Sequence, residues 1–212
     1  MKCGICSGEK LTNFLNLGNH PPPLNFITKE KVMENDETFP LEVFFCHGCG
    51  LVQLGEAVDP KIMFKEYIYT SGVSTAFRNH LELFAKKLVD RFSPDEEDLV
   101  IDIASNDGTL LQFFRNSGLR VLGIEPSNIA NIAKENGIQT VNDFFNETVA
   151  KQILETNGQA KIITITNAFA HIKDLDSVMK GVKVLLKEDG VFVSESQYLV
   201  DIIEKLEYDT IY

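Results

Sequence analysis

The order of elements along this chain predicts an α/β fold, a doubly wound and mostly parallel sheet behind a small N-terminal four-cysteine module. Three observations carry that expectation. All four cysteines fall in two Cys-x-x-Cys pairs, Cys3/Cys6 and Cys46/Cys49. From Asp98 onward, short apolar runs alternate with segments of helical period, the pattern of a parallel sheet covered on both faces. Glycines stand where the intervening helices should stop, at Gly118, Gly137 and Gly190.

Each cysteine pair is followed by small residues, Cys6-Ser7-Gly8 and Cys49-Gly50, which let the backbone turn and aim N–H groups at sulfur. Two such knuckles supply one tetrahedral all-thiolate zinc site with no open position, so the ion is expected to be structural. The gap between the pairs exceeds the usual zinc-ribbon gap, so the inner segment must loop out. Disulfides would need an oxidising compartment. Met1-Lys2-Cys3 opens without an apolar signal core, and a cytoplasmic location is expected. A module of this size has too small a core to hold itself without metal.

Composition narrows the function. The chain has 212 residues, 44% of them hydrophobic, and a net charge of −11. That acidity speaks against nucleic acid and against an anionic membrane surface. No run has the apolar length of a membrane span. Three divisions are expected: a zinc-binding module over 1–58, a helical bridge over 59–92 and the sheet domain over 93–212.

Taken in order, Gly18 to Pro23 reads as a stiff extended loop. Leu41, Val43 and Phe45 alternate as a strand entering the second knuckle, and Leu51 to Leu54 leaves it. Asp59-Pro60 opens a helix; Phe64, Tyr67 and Ile68 continue its spacing until Tyr69-Thr70-Ser71-Gly72 breaks it. A longer helix from about Ser74 to Arg91 aligns Phe77, Leu81, Phe84 and Leu88, which reads as core packing. Strands follow at 99–103, 120–124, 138–141, 161–166 and 191–194, with helices at 109–116, 128–136, 147–155, 175–186 and 199–206. Right-handed crossovers make this a doubly wound sheet.

Ligands of such sheets lie beyond the C-terminal strand ends. The first strand ends in Asp102-Ile103-Ala104-Ser105-Asn106-Asp107-Gly108. Glu125-Pro126 follows the second strand, about twenty residues on, where a carboxylate can accept both ribose hydroxyls of a nucleoside. Asp143 could accept from an adenine amino group with Phe144 on the ring face. Asn167 and His171 follow the fourth strand, and Glu195 follows the fifth. Gly-x-Gly-x-x-Gly is absent, with Ala104 and Asn106 where its glycines would stand, so a pyrophosphate lacks its bare backbone. Asp102 and Asp107 repel an anion and suit a cation. S-adenosylmethionine, with a sulfonium, an ammonium and no phosphate, fits that charge better than NAD.

The chain resembles the S-adenosylmethionine-dependent sugar C-methyltransferases, which act on nucleotide-linked deoxy-ketohexoses. The resemblance is carried by Cys3-x-x-Cys6, by Cys46-x-x-Cys49-Gly50-Leu51-Val52-Gln53-Leu54 and by Phe64-x-x-Tyr67-x-Tyr69-x-Ser71. It continues in Ile103 to Leu111, in Gly123-Ile124-Glu125-Pro126, in Asn167-Ala168-Phe169-Ala170-His171-Ile172 and in Asp209-Thr210-Ile211-Tyr212. It implies a class I methyltransferase (Rossmann-like) domain, with S-adenosylmethionine as cofactor and structural Zn2+ on the four cysteines. It further implies cofactor contacts from Asp102 to Gly108, Glu125, Pro126, Asp143, Phe144 and Asn167, with Tyr67, Tyr69 and Ser71 closing over the cofactor. Glu195 is expected to hold a sugar hydroxyl. His171 is expected to donate to an enolate oxygen or to serve as a base, and Tyr212 to be what remains of the family's base-bearing motif.

Two departures from the family pattern stand out. Ala104 replaces a glycine, and the family's substrate domain and the sheet's last two strands are expected to lie beyond Tyr212. The fifth strand would then be an open edge, favouring self-association or a separate C-terminal partner chain. Two other functions remain open: a catalytically inactive cofactor-binding module, and an NAD-dependent enzyme with a zinc module.

Overall fold

The computed structural model describes residues 1–23, 26–30, 32–33, 36–64, 67–208 and 211. Two compact units divide it: Met1–Lys65 with Lys173–Leu175 and Gln197–Tyr212, and Glu66–Ile172 with Asp176–Ser196. The segment 67–92 lies in the second unit.

In the first unit, β1 (Leu11–His20), β2 (Phe39–Cys46) and β3 (Val52–Leu54) form an antiparallel sheet in chain order. β2 alternates as expected, with Val43 and Cys46 buried. β1 was not legible as a strand. Its register against β2 shifts between Asn13 and Leu15 and again between Asn16 and Asn19, and such irregularities erase the period of two. Gly18 to His20, expected as loop, are the end of this strand. Helix α1 (Pro60–Phe64) starts where Asp59 Oδ1 accepts the Lys61 N–H at 2.9 Å. Tyr67 and Ile68 lie outside any helix.

The second unit opens with a 3-10 turn at Ser71–Val73 and helix α2 (Thr75–Phe92), capped by Ser74 Oγ, which accepts the Phe77 N–H at 3.3 Å. The sheet alternates with helices: β4 (Leu99–Ile103), α3 (Thr109–Asn116), β5 (Arg120–Ile124), α4 (Ala130–Glu135), β6 (Thr140–Val141) and α5 (Glu147–Asn157). β7 (Ala160–Thr166), α6 (Leu175–Leu185) and β8 (Leu186–Glu195) complete it, and α7 (Leu199–Lys205) returns to the first unit. The strand order is β6-β5-β4-β7-β8, all parallel. The order reverses between β4 and β7, so the crevice of a doubly wound sheet lies beyond their C-terminal ends.

Side chains along β4 divide the core. Leu99, Ile101 and Ile103 pack with Val149, Ile153, Val178 and Val182 of α5 and α6. Val100 packs on the other face with Leu81, Leu88, Leu111, Phe114 and Ile162, as the period of two in a strand requires. In α2, Leu81, Ala85 and Leu88 are buried while Phe77 and Phe84 are half-buried. β8 begins earlier than expected, directly after α6, with a register shift against β7 between Ala160 and Ile162. Among the described strands it pairs only with β7.

Candidate functional site

The four sulfurs gather from two chain segments. Cys3 Sγ lies 3.5 Å from Cys49 Sγ and Cys6 Sγ 3.6 Å from Cys46 Sγ, and all four lie within 4.8 Å of one another. Zn–S bonds of about 2.3 Å in a tetrahedron set sulfurs roughly 3.8 Å apart, so the cluster fits Zn2+. The knuckles share one turn: Ser7 N–H donates to Cys3 O at 3.0 Å and Gly50 N–H to Cys46 O at 2.9 Å. Gln53 ties the module together, accepting from Gly4 N–H at 2.9 Å and donating to Lys2 O at 3.3 Å. The N–H groups of Cys6 and Ile5 pull the Cys3 thiol down to about 6. The Leu51 N–H favours the Cys49 thiolate, yet crowding led by Cys3 outweighs it and pushes that thiol up to about 12. A divalent cation resolves such a conflict by making all four deprotonated forms favourable.

The second cluster stands at the crest of the sheet, beyond β4. Asp102 points to the α2 face with Val100 and is 2% exposed. Its Oδ1 accepts from Thr164 Oγ1 at 2.6 Å, directly across the β4/β7 ladder. Burial pushes the Asp102 carboxyl up to about 7; the Thr164 hydrogen bond opposes the rise and the Glu125 charge adds to it. Glu125, 5% exposed, accepts the Asn106 N–H on Oε2 and the Ser127 N–H on Oε1, both at 2.9 Å. Asn142 Nδ2 braces the same turn by donating to the carbonyls of Glu125 and Ser127 at 2.7 and 2.9 Å.

The loop between these carboxylates winds tightly. Ala104, Asn106 and Gly108 have φ of 57°, 51° and 77°. Left-handed backbone suits glycine and asparagine and is costlier at Ala104. At Gly108 a Cβ would also meet Ile138 at 2.9 Å. Ser105 Oγ is a buried polar atom without a hydrogen-bond partner, and among the described residues no other side-chain atom shares that state.

The loop's side chains hold the segment before α2. Asn106 Oδ1 accepts the Ser71 N–H at 2.8 Å while its Nδ2 donates to Tyr69 O at 2.9 Å. Asp107 Oδ2 accepts the Gly72 N–H at 2.8 Å, and its Oδ1 takes the Thr109 N–H and hydroxyl at 3.1 and 2.7 Å. A Cβ on Gly72 would lie 2.9 Å from Thr109 Oγ1. Asn128 Oδ1 accepts the Tyr67 N–H at 2.8 Å. Tyr67, Tyr69 and Ser71 are thus fastened through their backbone groups, Tyr69 and Ser71 to the loop after β4 and Tyr67 to Asn128. Asp107, expected to face a cationic ligand, has both oxygens engaged in this strap and in the start of α3.

The remaining expected residues spread along the crest. Ile103 is buried in β4 and Pro126 half-buried after β5. Asp143 is exposed and accepts the adjacent Phe144 N–H at 2.7 Å, with Phe144 half-buried. Asn167 is exposed with φ 52°, its N–H donating to Glu195 O at 2.8 Å and its Nδ2 to Glu195 Oε1 at 3.4 Å. His171 is half-buried in a 3-10 turn, Phe169–His171. Glu195 Oε2 meets His80 Nε2 at 2.7 Å. Tyr212, with Asp209 and Thr210, lies outside the described residues.

Sequence reasoning gave no individual role to Thr164, Asn142, Gln53 or His80. Thr164 had a signal, a hydroxyl within the apolar run Ile162 to Ile165. The others act across separations that no local pattern encodes.

Two family models match along the chain. Residues 3–64 match a family described as "Putative zinc binding domain", and residues 77–208 match "Methyltransferase domain". The chain is 31% identical over its full length to C-methyltransferase NovU of Streptomyces niveus, covering 50% of that protein. It is 32% identical over 101 residues, 45% of this chain, to the ubiquinone biosynthesis O-methyltransferase of Escherichia coli O139:H28, covering 41% of it. The chain thus spans about half the length of the curated relatives it matches. Among solved structures, the PH0226 protein of Pyrococcus horikoshii OT3 superposes with a TM-score of 0.52 at 19% identity, covering 71% of this chain and 69% of that one. The plantazolicin methyltransferase BpumL, in complex with a triazolic desmethylPZN analog and SAH, gives 0.52 at 14% identity, covering 67% and 55%. Those two likenesses establish the fold. With more than half of its length matched by the second family, the chain belongs to the methyltransferase-domain family, with a four-cysteine module ahead of that domain.

Proposed function

We propose that this chain carries the cofactor site of an S-adenosylmethionine-dependent C-methyltransferase, acting on a carbon beside the ketone of a nucleotide-linked deoxysugar. The observation that carries the reading is the pair of buried carboxylates, Asp102 and Glu125, flanking a left-handed loop at the crest of the sheet. The full-length likeness to a C-methyltransferase supports the reaction class.

The residues fit the cofactor. A carboxylate offers about four lone-pair sites, and Glu125 uses two on Asn106 and Ser127, leaving two for ribose hydroxyls. Asp102 matches the positive charge of a methionine end. The orphaned Ser105 hydroxyl can satisfy itself on a group entering the loop. When bound, S-adenosylmethionine supplies an electrophilic methyl group, which a substrate carbanion takes in line as the C–S bond electrons return to sulfur. The chain's part is to orient, shield and move a proton. Tyr67, Tyr69 and Ser71 exclude water from above the loop, and His171 donates toward the developing enolate oxygen, a role typically worth a factor of about 10²–10³.

Thermal shift tests the reading cheaply. S-adenosylmethionine should raise the melting temperature and NADH should not; a shift with NADH alone would replace this proposal with a nicotinamide enzyme. Methyl transfer to a 4-keto-2,6-dideoxysugar nucleotide, followed with a labelled methyl group, tests the substrate class.

A further inference from the structure

Asn106 joins two parts of the crest. Its backbone N–H donates to Glu125 Oε2 at 2.9 Å. Its side chain reaches the segment ahead of α2, where Oδ1 accepts the Ser71 N–H at 2.8 Å and Nδ2 donates to Tyr69 O at 2.9 Å. Those two groups flank Thr70, whose backbone is extended at φ −117° and ψ 132°. The carboxamide thus pairs with one extended residue as a neighbouring parallel strand would. Asp107 adds a third bond from the Gly72 N–H at 2.8 Å. Gly72 sits so near that a Cβ there would lie 3.0 Å from the same carboxylate oxygen.

Few residues can serve both partners. The backbone of Asn106 is left-handed, with φ 51°, a region that glycine and asparagine enter at least cost. Glycine would keep the loop and its N–H on Glu125 but would bring no side chain. Aspartate would accept from Ser71 yet offer no donor to Tyr69 O, and it would add a negative charge next to Asp107. Asparagine carries an acceptor and a donor on one short arm. The segment 69–72, in turn, takes its fastening from the loop. The N–H groups of Ser71 and Gly72 both end on loop side chains instead of on a helix or a strand ladder. Segments held by a few such bonds open locally more readily than buried strands do.

We infer that Asn106 is the positioning residue that latches the segment 69–72 against the cofactor loop and couples that latch to occupancy of Glu125. The inference rests on the S-adenosylmethionine reading and names a coupling within the same site. Ribose hydroxyls on the remaining lone pairs of Glu125 fix its carboxylate. The fixed carboxylate holds the Asn106 N–H, and the carboxamide so placed holds the backbone on both sides of Thr70. Linkage makes the effect reciprocal, so a closed latch tightens cofactor binding by the same factor. A latch that closes after entry acts on the departure of the ligand.

The experiment is amide hydrogen exchange resolved by NMR on the metal-replete chain, with and without S-adenosylhomocysteine, joined to stopped-flow binding of the same ligand. In wild type the ligand should slow exchange of the Ser71 amide at least about 5-fold. Asn106→Gly keeps the left-handed backbone. Without ligand it should speed that exchange about 10-fold, the worth of a hydrogen-bonded pair, and it should remove most of the ligand's effect on it. The β4 and β5 amides should keep their protection, which separates a lost latch from a lost fold. The same variant should release S-adenosylhomocysteine about 10-fold faster with its association rate unchanged, a split that a merely structural role would not produce. Asn106→Asp keeps the acceptor for Ser71 and should retain more protection there than Asn106→Gly. Unchanged Ser71 exchange in Asn106→Gly, with the ligand still bound, overturns this inference alone, as does equal slowing by ligand in the two proteins. A wild type that binds no S-adenosylhomocysteine overturns the function on which it rests.

Discussion

The two ends of this chain are held together by different physics. Among the described residues of the segment 1–65, the buried hydrophobic side chains are Cys3, Val43 and Cys46, and two of those three are metal-binding thiols. The sheet unit instead buries an apolar layer on each face, with Leu111, Phe114, Leu122, Ile124, Ile163 and Leu185 fully enclosed. Burial of a large apolar side chain is worth about 1.5–3 kcal/mol, so the sheet can be maintained by its own core. The four-cysteine module has almost none and depends on coordination. The difference separates the two: the sheet unit carries its own apolar core, and the four-cysteine module is held by coordination.

Metal removal should separate the two most widely. Structural Zn2+ in small modules is typically worth about 10–16 kcal/mol, so a strong chelator or Cys46→Ser should abolish protection of the β1–β3 amides in hydrogen exchange. The β4 and β7 amides should stay protected; their joint loss would show one cooperative unit. Next in size is Phe114→Ala, which opens a void in the α2–α3 layer and should cost about 3–5 kcal/mol while leaving one bound zinc per chain.

Asp102 gives an effect of a few kcal/mol with a defined pH dependence. Its carboxyl lies at about 7 when folded, against 3.8 for an ordinary aspartate. The folded state therefore holds a proton that the unfolded chain has released. Stability contributed by this group is full below about pH 4 and falls as pH climbs toward 7. Asp102→Asn should raise the melting temperature at pH 8, leave it unchanged near pH 4, and weaken S-adenosylmethionine binding. The smallest effect is at Ala104. Left-handed backbone costs an L-residue about 1–2 kcal/mol, partly offset in Ala104→Gly by the greater freedom of the unfolded chain. A net gain below about 1 kcal/mol is expected from denaturant midpoints.

The same contrast governs what the sequence made legible. The bounds of β4, α3 and β5 follow from apolar period and stop signals, because buried strands and amphipathic helices are dictated locally. Cys3, Cys6, Cys46 and Cys49 could be grouped because their chemistry admits few alternatives. β1 was hidden by its register shifts, and β8 by its start directly after α6. That Asn106 and Asp107 accept backbone N–H groups 35 residues away was not legible, because no local pattern marks such a partner. His80 and Glu195 meet across 115 residues, a separation at which sequence pattern says nothing about contact.

Calorimetric titration of S-adenosylhomocysteine into the metal-replete chain and into Glu125→Ala tests the central claim directly. The acidic crest should bind the ligand in wild type, and the variant should lose at least about 10-fold, the equivalent of one charge-assisted hydrogen bond. Equal affinity in the two proteins, or no binding by wild type, would contradict the placement of the cofactor at Asp102 and Glu125.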